Sequence, residues 1–246
     1  MIKYLFSLVL TCMLLAQPGQ AQHIWTKVEI QSLLKRADAY RMPLEQGRVL
    51  AGITLVKNGI RSRTLPMRIE FSAKRERRIE TLGGARKGQR VLLTPEGYWL
   101  YMTGIKQPVR LNRLQRVLGQ ASFGDIGNLR FAEDYQAQNW NEENGLIRIV
   151  LAAHMQGQVV DNITLWIDPQ TGAPVRASLL FPSGKTFKIL NFDPPQPTPA
   201  GAMILSTRFV DPTQADVFTE LTYAPPESTG FAPTYFTPTA LVAEKE

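Results

Sequence analysis

The sequence predicts an α+β chain, mainly antiparallel β, in which a curled half-barrel carries helices over its concave face. Three observations lead there. From Val49 onward, apolar residues recur at every second position in ten or so segments separated by turn residues, the period of half-buried strands. Helical spacing is confined to the start and the middle of the chain. So many antiparallel strands cannot remain a flat open sheet and must curl. A curled sheet that does not close leaves an apolar concavity, and the helices are the available cover.

Taken in order, residues 1–21 read as an export signal. Lys3 gives the positive start, "YLFSLVLTCMLLA" the apolar run, and Gly19 and Ala21 a small-residue exit with cleavage after Ala21. The run is too short to span a bilayer comfortably. Cys12, the single cysteine, lies inside it; Thr11 is a poor residue at a lipoprotein cleavage point, so a plain signal is the better reading. The exported chain then has no disulfide and no thiolate chemistry. Its expected location is the periplasm.

Residues 26–41 form an expected helix, with Thr26 and Glu29 as a capping box and Val28, Leu33, Leu34 and Ala37 on one face. Met42–Pro43 ends it. Strands follow: Val49, Ala51, Ile53 and Leu55 alternate, "KNG" turns the chain, and Leu65, Met67, Ile69 and Phe71 line one face of the next strand. "RRIETLG", "QRVLLT" and "YWLYMT" continue the series. The last has large side chains on both faces, Tyr98, Leu100 and Met102 against Trp99 and Tyr101, so it should be covered on both sides. Leu111, Leu114, Val117 and Leu118 have helical spacing, and a second short helical stretch runs from Phe131 to Tyr135. Alternation then resumes from "GLIRIVLAAH" to "DVFTELTYA", with "DPQTG" a tight turn for which Pro169 and Gly172 are placed. Residues 22–223 form one domain on this reading. Residues 224–246, rich in Pro, Thr and Glu, read as a loose surface tail that Phe231, Tyr235 and Phe236 could tether.

The formal charge is +7, and the excess clusters in Arg61, Arg63, Arg68, Lys74, Arg75, Arg77, Arg78, Arg86, Lys87 and Arg90. Such a field favours anionic partners, phospholipid head groups among them; a solvated hairpin face has the same composition. Motifs of catalysis are scarce. "SGKT" at Ser183–Thr186 lacks the earlier glycine of a phosphate loop, since position 179 is Leu, and no helix follows it. His23 and His154 have no metal-ligand spacing, so no metal and no cofactor is expected. Glu142–Glu143 precede the turn residues Asn144–Gly145, and Glu133–Asp134 occupy adjacent helix positions that cannot share a site. No G-x-S-x-G occurs. Met67, Ile69 and Phe71, with Ile147, Ile149 and Leu151, form an apolar wall. Core packing and a ligand chamber use the same residue types.

The order of "GQRVLLTPEGYWLYMTGIKQPVRL", "FGDIGNLRFAEDY" and "LWIDPQTGAPVRASLLFPSGKTFKILNF" resembles that of the outer-membrane lipoprotein-sorting proteins, periplasmic carriers of the LolA-like fold. The matching residues are Trp99-Leu100-Tyr101, Lys106 to Arg113, Phe131 to Asp134, and Trp166 to Pro174, within a span from Val49 to Tyr223. The segment "FGDIGNLR" departs from the family's small-residue run. The resemblance implies a binding and carrier protein, not an enzyme, that holds lipid or lipoprotein acyl chains in an apolar cavity. Met67, Ile69, Phe71, Trp99, Tyr101, Ile147, Ile149 and Leu151 would line that cavity. Lid helices at about 111–137 would gate it through Leu114, Val117, Leu118, Phe131 and Tyr135. Arg68, Arg75, Arg77 and Arg78 would meet head groups or a partner, and Arg68, Arg75 and Arg78 compete for the arginine that secures the lid. A membrane exporter or receptor is the implied partner, with peripheral membrane contact at most and no nucleic acid. The alternative is a periplasmic regulatory module that grips a membrane protein.

Overall fold

The computed structural model of the chain describes residues 23–111, 116–118, 121–122, 129–154 and 160–243. The expected export signal and Leu114 lie outside them. The first half supplies β1 (Gly47–Lys57), β2 (Ile60–Arg61), β3 (Leu65–Phe71), β4 (Arg77–Thr81), β5 (Arg90–Thr94), β6 (Gly97–Tyr101) and β7 (Val109–Leu111). A separate ribbon pairs β8 (Arg116–Leu118) with β9 (Ala121–Ser122). The second half adds β10 (Tyr135–Glu143), β11 (Leu146–Ala153), β12 (Asn162–Ile167) and β13 (Pro174–Leu180). It ends with β14 (Thr186–Phe192), β15 (Ser206–Asp211) and β16 (Gln214–Tyr223).

These make one 14-stranded antiparallel sheet in the order β10-β11-β12-β13-β14-β15-β16-β1-β3-β4-β5-β6-β7, with β2 on β1. Pairing of β16 with β1, Leu221 opposite Ile53, joins the two halves. β10 and β7 do not pair with each other, so the sheet is open, as the half-barrel expectation requires.

Helix α1 (Lys27–Arg41) has the expected capping box: the Thr26 hydroxyl accepts from the Glu29 N–H, and the Glu29 carboxylate takes the Thr26 N–H. It buries Ile30, Leu33, Leu34 and Ala37. Val28 was expected on that face but is 79% exposed. Two residues before Ile30, it sits about 200° around a 3.6-residue helix, which is the solvent side. No helix among the described residues is long and apolar enough to cross a membrane.

Two expectations are corrected. The stretch Leu111 to Leu118 is strand where it is described, not lid helix: Leu111 pairs with Tyr98, and Arg116 with Ser122. Leucines three and seven apart have helical spacing, but the free edge of β6 offers residues 109–111 hydrogen bonds that local propensity does not outweigh. The C-terminal tail is not loose over residues 224–243, where Phe231, Tyr235 and Phe236 tether it as the sequence allowed. Phe236 and Leu241 are buried against Leu92, with Trp99, Tyr101, Phe231 and Tyr235 packed around them, and helix α3 (Ala240–Ala243) closes the segment.

The sheet therefore has two covered faces. The inner face joins the buried side of α1 to Val49, Ile53, Ile69, Ile79, Leu93 and Tyr98 in one core. The outer face of the first half carries cross-strand charge rows. Arg48, Glu70 and Arg78 stand opposite one another on β1, β3 and β4, as do Arg68, Glu80 and Arg90 on β3, β4 and β5. Opposite charges at directly facing positions stabilise such pairs. β6 is covered on both sides as expected, Tyr98 and Leu100 inward, Trp99 and Tyr101 outward, but Met102, expected beside Tyr98 and Leu100, lies past the end of the strand and is exposed.

Candidate functional site

A cavity of about 370 Å³ lies under the C-terminal end of α1. Its floor is the inner face of β14, β15 and β16, where alternation presents Leu190, Phe192, Thr207, Phe209 and Leu221. Register places these in two rungs: Leu190 faces Phe209, and Phe192 faces Thr207, which faces Leu221. Ile204 and Leu129 add apolar wall, while Lys35, Asp38, Arg41, Glu45, Arg130 and Glu133 bring charge. An apolar floor below polar groups is the composition of an amphiphile site.

The roof is α1 with residues 129–134, which include the short helix α2 (Phe131–Asp134). The Asp38 carboxylate accepts the N–H groups of Phe131 and Ala132 at 2.9 and 2.8 Å and lies 3.6 Å from Arg41. Burial pushes the Asp38 carboxyl above its usual range, against the pull of Arg41 and the two amides. Arg41 donates to the Leu129 carbonyl and stands 5.0 Å from the Phe131 ring centre. From the other side Arg75 meets the buried Asp134 carboxylate at 2.7 Å, and Asp134 also accepts the Arg130 N–H. Tyr135 donates its hydroxyl to the Val160 carbonyl, and burial raises its phenol pKa. The roof is thus pinned by polar contacts at its edges and by Phe131 in the core.

Arg77 enters from the sheet. It shares the inner face of β4 with Ile79, and its guanidinium stands 5.6 Å from the Phe71 ring centre. It lines the cavity, yet its Nε is buried with no hydrogen-bond partner. Burial is the main reason its pKa falls to about 10; Arg130, Arg41 and Arg75 push the same way against Tyr223. Arg77 stays protonated at neutral pH. No carboxylate among the described residues pairs with it.

Solved structures share this architecture. A LolA superfamily protein from Nitrosomonas europaea is similar at 20% identity with a TM-score of 0.76, over 85% of this chain and 98% of its own. A DUF1329 family protein from Desulfovibrio piger gives 16% and 0.69, over 86% and 97%. A putative outer membrane lipoprotein-sorting protein domain from Vibrio parahaemolyticus gives 15% and 0.66, over 87% and 97%. Residues 79–243, two thirds of the chain, match a family model described as "Uncharacterized protein". The chain belongs to that family, and its fold is LolA-like. No curated protein matches the sequence. The expected resemblance to the lipoprotein-sorting proteins holds in the fold.

Within this LolA-like fold the expected site residues separate. Met67, Ile69 and Phe71 on β3 and Ile147, Ile149 and Leu151 on β11 are buried in the inner core and do not line the cavity. Trp99 and Tyr101, expected in the cavity, face outward under the C-terminal segment. Of the lid residues, Phe131 and Tyr135 are buried behind the roof, while Val117 and Leu118 lie on β8. The basic cluster is not one solvated face, because strand alternation splits it. Arg68 pairs with Glu80, Arg75 with Asp134, and Arg78 lies buried 4.7 Å from the Tyr235 ring centre. Arg77 alone of these four lines the cavity. Arg75 is the one seen to tie down α2.

The floor residues Leu190, Phe192, Phe209 and Leu221 were missed. The signal was present in "TFKILNF" and "STRFVD", where Leu190 and Phe192 share one alternation phase and Thr207 and Phe209 share one on the next strand, but alternation does not say which face is left uncovered. Among the described residues no three His, Cys, Asp or Glu side chains cluster as metal ligands.

Proposed function

We propose that the protein is a periplasmic carrier that holds lipid or lipoprotein acyl chains in this cavity. The observation that supports it best is the floor of Leu190, Phe192, Phe209 and Leu221, left unfilled beneath α1. At about 370 Å³ the space is at the small end of ligand sites. It suits one chain in the closed form. A longer chain would continue along the wall of Met67, Ile69 and Phe71 once the roof of α1 and α2 lifts. Export through the signal of residues 1–21, peripheral contact with a membrane and delivery to or from a membrane exporter or receptor complete the reading.

Each methylene moved from water into the cavity contributes about 0.8 kcal/mol, roughly a fourfold gain in affinity. Displacement of a fluorescent fatty-acyl probe by a series of alkyl chains should show that increment and then a plateau where the closed cavity is full. Solvent extraction of the purified protein and mass spectrometry should yield acyl lipid. Absence of lipid together with no probe binding would overturn the proposal. Stoichiometric capture of a membrane protein by chain with an empty cavity would favour the regulatory alternative.

A further inference from the structure

We propose that Arg77 is an anion receptor inside the cavity, and that the ligand is a single-chain amphiphile whose carboxylate or phosphate head pairs with it while the chain lies on the floor of β14–β16. This rests on the acyl-carrier reading and gives it a ligand chemistry.

The first argument is charge accounting around the cavity. Three guanidinium groups line it. Arg41 has Asp38 at 3.6 Å and Arg130 has Glu133 at 2.7 Å. Arg77 has no carboxylate among the described residues, and its Nε is enclosed without an acceptor. Arg77 is partly buried, and a cation held out of water without a counter-charge is costly. The Phe71 ring at 5.6 Å offers a cation–π contact, a fraction of what an anion gives. Of the carboxylates around the cavity, Asp38 holds two roof amides, Glu133 holds Arg130 and Asp134 holds Arg75, while Glu45 is exposed and makes no ion pair with Arg77.

The second argument is position. Arg77 rises from the sheet beside Phe71, not from the roof. The floor strands β14–β16 lie three to five places away from β4 in the sheet, and adjacent strands are about 4.8 Å apart. A ligand that meets both is therefore elongated, polar at one end and apolar along its length. A planar guanidinium matches carboxylate and phosphate oxygens in paired hydrogen bonds. A neutral head group would leave the cation as it is.

The test uses the purified, delipidated protein and three ligands of equal chain length: dodecanoate, dodecyl phosphate and dodecanol, each competed against a fluorescent fatty-acyl probe at pH 7.5. The protein should prefer at least one anion over dodecanol by about tenfold or more, the size of a charge-assisted hydrogen bond. Preference for dodecanoate identifies a carboxylate ligand, and preference for the phosphate a phosphate monoester. Arg77→Met should bring the anion-to-alcohol ratio near one and melt no lower than the parent without ligand, because it removes a partly buried charge that has no counter-charge. Arg77→Lys should keep a reduced preference, and it serves as the readout if Arg77→Met fails to fold. Arg63→Met, on an exposed loop, should keep the full preference. Equal binding of all three ligands by the parent protein, or an undiminished preference in Arg77→Met or Arg77→Lys, overturns the anion receptor and leaves the carrier standing. Binding of none of the three overturns the carrier itself.

Discussion

The C-terminal segment should behave as part of the folded sheet, and Leu241→Ala and Phe236→Ala test this directly. Leu241 is 1% exposed and Phe236 6%, both on Leu92. Truncating a closed core site costs about 2–5 kcal/mol for Leu and 3–5 for Phe. The outer layer is one segment thick, so water and neighbouring rings refill part of the space. The expected losses are at the low end, about 2 kcal/mol for Leu241→Ala and about 3 for Phe236→Ala. The two side chains share Leu92, so the double variant should fall short of the sum by at least about 0.5 kcal/mol. Tyr235→Phe probes the polar half of the same contact. The phenol donates to Glu70, which is 2% exposed. Glu70 keeps Arg48 at 2.8 Å and Arg68 at 3.6 Å, so the loss should be about 1 kcal/mol. Urea unfolding with unchanged m-values reads all four variants. Changes below about 0.5 kcal/mol in both alanine variants would mean that the segment does not pack on the sheet and that the tail reading of the sequence was right.

Two further variants probe the roof and the turns. Arg75→Ala leaves the Asp134 carboxylate, 1% exposed on its side chain, without its guanidinium. Removing one partner of a fully buried pair costs about 3–5 kcal/mol, and partial exposure of Arg75 reduces this to about 2; adding Asp134→Asn should recover part of it. Limited proteolysis should then cut within residues 129–134 sooner than in the parent. Asp168 holds the turn after β12 by accepting the Gln170 and Thr171 N–H groups, both at 2.9 Å, and the Thr171 bond is the main cause of its lowered pKa. A carboxyl lowered on folding adds stability above its unfolded value of 3.8 and loses it as pH falls through the folded value. Asp168→Ala should cost about 1 kcal/mol at pH 7, and the gap to the parent should narrow as pH falls below 3.8.

What the sequence disclosed followed from periodicity and local chemistry. The capping box of Thr26 and Glu29, the strand phase of Met67, Ile69 and Phe71, and the turn at Asp168–Gly172 each depend on neighbours a few residues away. Gly172, at φ 79°, illustrates the limit: its turn was legible, but the close approach of the Arg36 side chain was not. Trp99 and Tyr101 show the same limit for function. Their phase opposite Tyr98 was read correctly, and only the folded C-terminal segment reveals that their face is the outer one. The arginine cluster hid its division because Arg77 and Arg78 are adjacent in sequence and opposite in space. Alternation had already separated them, but nothing in the chain said which side held a counter-charge.

The location of the cavity follows from where α1 stops. Its 15 residues make a rod about 22 Å long. The sheet it must cover runs through 13 consecutively paired strands, about 58 Å at 4.8 Å per spacing. One helix cannot roof that width even after the sheet curls. Elsewhere large side chains of the inner face such as Phe71 and Tyr98, with Phe131 of α2, fill the core. At Arg41 the helix is broken by Met42–Pro43, and six residues later the chain is already in β1. The floor of β14–β16 lies under the last turns of α1 and residues 129–134, whose side chains do not fill the space between roof and floor. A short helix on a wide sheet thus makes an apolar hollow unavoidable, and the unpaired cation of Arg77 within it is what gives that hollow a chemical preference.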